Sequence, residues 1–240
     1  MLQPRVVIGI SVLICIMHAN WSSASDLNDG TYIREGDTGT LVIKKADNGN
    51  QTFQLDTTGA NGHSCSVDGL IKKGIGYDSD EATCHIAFKN IAPSKISVEP
   101  ITDEECSGYC GMRANLDGEY VIPPVSCTHK SVQERRNHYL KLYRGRNYKG
   151  ADAAAKSLLS ECEHFIDWVT VDDIRNDLAI AQYHEGDYSA CLQTLSDTVA
   201  AQYANENEVK ENLPPSDADW YSRVAGATFY NKALCSKSSK

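Results

Sequence analysis

Thr40-Leu41-Val42-Ile43-Lys44, then Asn48-Gly49, then Phe53-Gln54-Leu55-Asp56-Thr57 is the stretch that decides how the first half of this chain folds. Asn-Gly between apolar runs is a strong tight-turn signal. Phe53, Leu55 and Thr57 alternate with Gln54 and Asp56, the period of a strand with one buried face. The same grammar continues outward. Cys65 and Val67 alternate, as do Cys84, Ile86 and Phe88, and again Ile96 and Val98, with Gly59, Gly62, Gly69, Gly74 and Gly76 at the joins. Asp29-Gly30-Thr31-Tyr32 opens the region and is echoed by Asp117-Gly118-Glu119-Tyr120, as though two equivalent turns lead into strands. Short strands at this spacing predict a small antiparallel β-sandwich or barrel over residues 25–127.

From Ser131 onward the apolar period becomes helical. Ala151, Ala154, Ala155, Leu158, Cys162 and Phe165 share one face, and Tyr188, Cys191, Leu192, Leu195 and Val199 share another. The spacing predicts five helices, near 131–145, 149–167, 171–185, 188–203 and 217–236. Ser131/Glu134, Thr170/Asp173 and Ser216/Asp219 fit capping boxes at three of the starts. Pro214-Pro215 precedes the last helix, whose apolar face is expected to hold Trp220, Val224, Ala227 and Leu234. Tyr148 and Tyr188 lie one period of 40 apart, each just after an inter-helix turn. Leu178-Ala179, the Gly186-Asp187-Tyr188 turn and the small Cys191 resemble the tetratricopeptide repeat. That resemblance implies antiparallel helical hairpins over residues 128–240. The fold class expected for the chain is therefore α+β.

Nine cysteines are present. Cys15 lies in the apolar run from Val6 to Ala19, which follows Arg5 and precedes Ser22-Ser23-Ala24. A positive start, a short apolar core and a small-residue site make residues 1–24 a secretory signal peptide. The run is shorter than the roughly 20 residues a spanning helix needs, so no stable membrane insertion is expected. The other eight, Cys65, Cys84, Cys106, Cys110, Cys127, Cys162, Cys191 and Cys235, form an even set. In an exported chain such a set reads as structural disulfides and places the protein in the periplasm or outside the cell. Five of them fall before residue 128 and three after it, so at least one bridge is expected to join the regions. Proximity favours Cys65–Cys84 and Cys191–Cys235. Cys162 then pairs with one of Cys106, Cys110 or Cys127, and the other two pair together.

Removing residues 1–24 leaves 22 basic and 32 acidic side chains, a net charge of −10. That balance disfavours nucleic acid and suits a basic partner. The acidic excess belongs to residues 25–127, with 8 basic against 16 acidic groups. Residues 130–149 run the other way, with seven cations against Glu134 alone. A basic helix docked on the acidic β region is the expected arrangement. No zinc motif, nucleophile elbow or phosphate-binding loop occurs. Cofactors, metals and catalytic residues are therefore not expected, and the chain is not read as an enzyme.

The run Asn61-Gly62-His63-Ser64-Cys65-Ser66-Val67-Asp68-Gly69, together with Cys106-Ser107-Gly108-Tyr109-Cys110-Gly111-Met112-Arg113, is similar to bacterial periplasmic proteins of the lysozyme-inhibitor type. The resemblance covers the β region. It implies an exported protein that blocks a cell-wall-degrading hydrolase without chemistry of its own. The same logic fits an immunity protein against a toxic enzyme. Candidate contacts are loop residues: His63, Ser64, Tyr77, Asp78, Tyr109, Met112 and Arg113. The alternative is an envelope adaptor that binds a protein or peptide in a groove between the helices near 131–145 and 171–185. Tyr139, Tyr143, Arg144, Arg175, Asn176 and Tyr183 are its groove candidates. Oligomeric state is open.

Overall fold

The computed structural model describes residues 27–46 and 49–238. The expected signal peptide, Cys15 and Asn48 of the Asn-Gly turn lie outside the described residues. Eight strands run in sequence: β1 (Gly30–Arg34), β2 (Gly39–Lys45), β3 (Gln51–Thr58), β4 (Ser64–Lys72), β5 (Ile75–Asp78), β6 (His85–Ala92), β7 (Lys95–Pro100) and β8 (Gly118–Val121). Each pairs antiparallel with the next, and β8 returns to β1, so the sheet is a closed barrel and not a sandwich. The Phe53–Leu55–Thr57 alternation is seen as expected, facing Ile43, Leu41 and Gly39 across the β2–β3 ladder. Closure rests on a short seam, Ile33 opposite Val121 and Arg34 opposite Tyr120.

Side chains fill the interior, as is usual for eight strands. Tyr32, Leu41, Leu55, Ile86, Ile96 and Tyr120 are fully enclosed, and Phe53 packs on Phe88 with ring centres 5.1 Å apart. Gly76 leaves room for that pair, since a Cβ there would lie 2.6 Å from Phe88. Gln51 caps the core with two hydrogen bonds to the Leu27 backbone. The Tyr32/Tyr120 echo is a structural equivalence: each hydroxyl donates to the carbonyl four residues earlier, Asn28 and Leu116.

The helices are α1 (Asp103–Ser107), between β7 and β8, then α2 (His129–Arg144), α3 (Tyr148–Cys162), α4 (Trp168–Glu185), α5 (Tyr188–Ser196), α6 (Glu206–Asn212) and α7 (Pro215–Ser238). Consecutive helices α2 to α5 pack on one another, and α7 lies against α4, α5 and α6. The expected starts at Ser131 and Thr170 are displaced by one turn. Thr128 accepts from Ser131 N–H and Asp167 from Thr170 N–H, so those expected caps are already inside the first turn. α7 starts at Pro215, before Ser216, because proline suits the first helical position. The helix expected over 188–203 ends at Ser196. Buried Asp172 accepts from Val199 N–H at 2.7 Å and turns the chain aside.

Four disulfides form, but not in the expected pattern. Cys191–Cys235 is as expected, and Cys162 takes Cys127 from its three options. Cys65 bonds Cys110 rather than Cys84, and Cys84 bonds Cys106. Proximity along the chain misleads here because β5 lies between β4, which carries Cys65, and β6, which Cys84 precedes. Cys127–Cys162 is the expected bridge between residues 25–127 and 128–240, but Cys127 packs in the helical core with Val132, so the bond staples the linker to α3 and does not reach the barrel. Several polar contacts tie the barrel to the helices. Asn61 N–H donates to Asp217, Ser216 N–H donates to Asn61 Oδ1, His129 faces Asp37 and His164 faces Glu35.

Among the described residues no helix is long and apolar enough to cross a membrane.

Candidate functional site

Strands of alternating direction put the connections after β1, β3, β5 and β7 at one end of the barrel. That end collects Glu35, Asp37, Asp80, Glu81, Asp103, Glu104, Glu105 and Asp117. The opposite end carries Lys44, Lys45, Lys72, Lys73 and Lys95. The barrel is therefore electrically polarised along its axis, a feature that total charge conceals.

The segment between β7 and β8 is fastened across the acidic end. Cys110 is bonded to Cys65, Gly111 N–H donates to Ser64 O at 2.8 Å, and Ser66 N–H donates to Tyr109 O at 3.2 Å. Thr57 Oγ1 and Arg34 both donate to Asn115 O. Gly59 permits the closest approach, because a Cβ there would sit 1.8 Å from Arg113 O. His63 packs on Gly111. These ties leave Met112 pointing outward, 93 % exposed, beside exposed Arg113.

The structure thus brings His63, Ser64, Tyr109, Met112 and Arg113 together. It gives Asp78 and Tyr77 other places. Asp78 is buried and accepts from Tyr109 Oη at 2.9 Å and from the N–H groups of Cys84, Glu81 and Ala82. Burial works to raise its carboxyl pKa, but these hydrogen bonds outweigh burial and hold it below the ordinary range. The bond to Asp78, helped by burial, pushes the Tyr109 hydroxyl up to about 12. This pair shapes the loops from beneath. Tyr77 lies on the outer wall, its ring edge-on to His85 at 4.7 Å.

Beside this end, a cleft of about 750 Å³ opens between the barrel and the helices. Gly59, Ala60 and Gly62 of the β3–β4 turn form one wall, and Trp168, Val199, Leu213 and Trp220 form the other. Trp168 and Trp220 meet edge to face at 6.0 Å. Trp220 was expected on the apolar face of the last helix. Val224 is buried there, whereas Trp220 is 55 % exposed and belongs to the cleft. Asp37, Asp167, Asp217 and Arg34 supply the charge. Burial raises the Asp37 carboxyl, against the lowering effect of His129 at 3.0 Å, and Asp167 adds to the rise. Arg34 is engaged with Thr38, Asn115 and Asp117. Sequence patterns missed this cleft because its residues come from five separate segments. The signal available was that Trp168 and Trp220 are the only tryptophans after residue 24.

The helical groove candidates fare differently. Tyr139 is buried with its hydroxyl on Asp177 O at 2.6 Å. Arg175 pairs with buried Asp172, and Asn176 bonds Thr228 and Asn231 in the core. Tyr143, Tyr183 and Arg144 remain at the surface, where Tyr143 Oη contacts His184 at 3.1 Å. Nor does the basic stretch dock on the barrel as expected. Arg135 pairs with Glu161, and Arg136 with Asp173, so these cations hold α2 to α3 and α4. Lys141, Arg144, Arg146 and Lys149 are exposed around the α2–α3 turn.

Among the described residues no cluster of side chains fits a metal ion. Comparison with known proteins returns no match to this chain: no family model, no curated protein and no solved structure.

Proposed function

We propose that this chain is an exported binding protein of the periplasm or cell exterior. It neutralises a basic enzyme, a cell-wall hydrolase or a toxin, in the manner of lysozyme inhibitors and immunity proteins, and performs no catalysis itself. The observation that carries the reading is the polarised barrel, whose acidic end presents a covalently fastened loop. A rigid loop loses little conformational entropy on binding. An acidic face steers a basic partner and rejects acidic ones. The filled interior leaves no ligand chamber in the barrel, so its outer end is the working surface. His63, Ser64, Met112 and Arg113 are its contacts. The helical region, with the repeat-like helix pairs its sequence resembles, serves as the second wall beside that end.

The test is capture from envelope and culture-fluid extracts on the oxidised protein, followed by inhibition assays on each enzyme captured and on a basic lysozyme. Stoichiometric inhibition that weakens steeply with salt, and is reduced about tenfold or more by Met112→Ala with Arg113→Ala, is expected. Capture without inhibition of any hydrolase or toxin retires the reading.

A further inference from the structure

We propose that the cleft between the barrel and α7 receives a cationic side chain, arginine or lysine, from a basic protein partner. That the occupant is part of a protein rests on the reading above; its charge rests on the cleft alone. Trp220 offers an exposed indole, with Trp168 nearly perpendicular to it, ring centres 6.0 Å apart. A cation over an indole face is attracted to it, and more strongly where water is displaced. Around the rings stand Asp37, Asp167 and Asp217 against a single arginine, Arg34. The Arg34 guanidinium spends four of its five N–H groups on Thr38, Asn115 and Asp117, so it has little left to offer a ligand while it offsets one carboxylate. Asp217 accepts from the Asn61 backbone and Asp167 caps α4 through one oxygen. Asp37 has one side-chain partner, exposed His129, on one oxygen. An anion meets excess negative charge here. An apolar occupant strips water from carboxylates without replacing it, which is costly. A side chain with an apolar stem and a cationic head satisfies both the indoles and the carboxylates. The volume of about 750 Å³ exceeds one such side chain and leaves room for the segment that carries it.

The experiment uses the chain from Ser25, in which Trp168 and Trp220 are the only tryptophans and both report on the cleft. The probe is Nα-acetyl-arginine amide, and the control is its neutral citrulline counterpart. A saturable change in tryptophan emission is expected, with a dissociation constant on the order of 1–10 mM for so small a ligand. Citrulline should bind at least about tenfold more weakly. Asp37→Asn should weaken arginine binding about three- to tenfold; asparagine tolerates the positive φ of 54° at that position. Trp220→Ala, read by calorimetry because it removes a reporter, should weaken it similarly. Absence of saturation with arginine, or an equal response to citrulline, overturns the proposal. Hydrolase inhibition that survives both substitutions undiminished also overturns it and leaves the neutraliser reading standing. Arginine binding without any inhibited enzyme supports the cleft and retires that reading instead.

Discussion

The barrel and the helical region solve the same problem by different means. The barrel closes a ladder of neighbouring strands around an apolar interior and places both of its disulfides at the acidic end, Cys65–Cys110 and Cys84–Cys106. Both fasten the segment between β7 and β8, where a five-residue helix is the only regular element. The helical region keeps polar groups in its core. Asp172, 1 % exposed, accepts from Arg175, Tyr221 and Val199 N–H, while Asn176 links Thr228 and Asn231. Covalent bonds in the barrel thus order a surface loop, whereas in the helical region buried charge and hydrogen bonds work beside the Cys191–Cys235 bridge to set helix against helix. Between the barrel and the helical core no disulfide runs among the described residues; polar contacts tie them, and that is where the cleft lies.

Asp172→Ala breaks the comparison most severely. Removing the buried carboxylate takes away the acceptor for Val199 N–H and Tyr221 Oη and an ion-pair partner of Arg175, and should cost about 3–5 kcal/mol. Hydrogen exchange should show α4 and α7 losing protection while β3 and β4 keep theirs. Equal loss in the barrel would mean that the regions unfold as one. Replacing Cys65 and Cys110 together by serine should cost about 2–4 kcal/mol. The change should appear in the barrel transition, with exchange rising fastest over residues 109–117; a stability loss with those amides still protected would contradict the fastening role.

Acidity sharpens the contrast, because Asp177, between α2 and α4, is pushed up to about 6, chiefly by burial. A carboxyl raised in the folded state stabilises the fold while protonated. Its contribution is full below the unfolded value near 3.8 and is lost as pH rises through about 6. Denaturant titrations should show Asp177→Asn gaining on the parent protein by about 3 kcal/mol across that window. A parallel pair of pH profiles would discard this assignment. The smallest effect is expected from Asn61→Gly, which keeps the left-handed backbone at that turn and removes the acceptor for Ser216 N–H. About 1 kcal/mol should be lost. The tryptophan emission should shift toward red as the cleft loosens; an unchanged spectrum would show that other contacts hold the interface.

The strands were legible because alternation is local: Phe53 to Thr57 announces its buried face without knowledge of any other strand. Barrel closure was not, since the seam joins Ile33 to Val121, and only the echo of Tyr32 in Tyr120 hinted at it. Five of the seven helices were legible from their spacing and the short α1 and α6 were not; the first turns were also missed, because Thr128 and Asp167 cap where Ser131 and Thr170 also fit the pattern. The loop at the acidic end was half legible. His63 and Met112 stand out by type, but the Cys65–Cys110 bond that brings their segments together depends on the order of strands in space. The cleft could not be read at all from local pattern. Asp37, Trp168 and Trp220 meet only after two independently patterned regions have docked.

The disulfide connectivity also sets a task for the compartment in which the chain folds. An exported chain that emerges N-terminus first shows Cys65 and Cys84 to an oxidant before Cys106 and Cys110 arrive. Joining thiols in order of appearance gives Cys65–Cys84 and Cys106–Cys110, neither of which is native. The nested native pairs then require a thiolate to attack and exchange a bond already made. Cys127–Cys162 and Cys191–Cys235 join neighbours in that order and carry no such requirement. A cell without a disulfide isomerase should therefore accumulate molecules whose helices are correctly stapled and whose acidic end is scrambled.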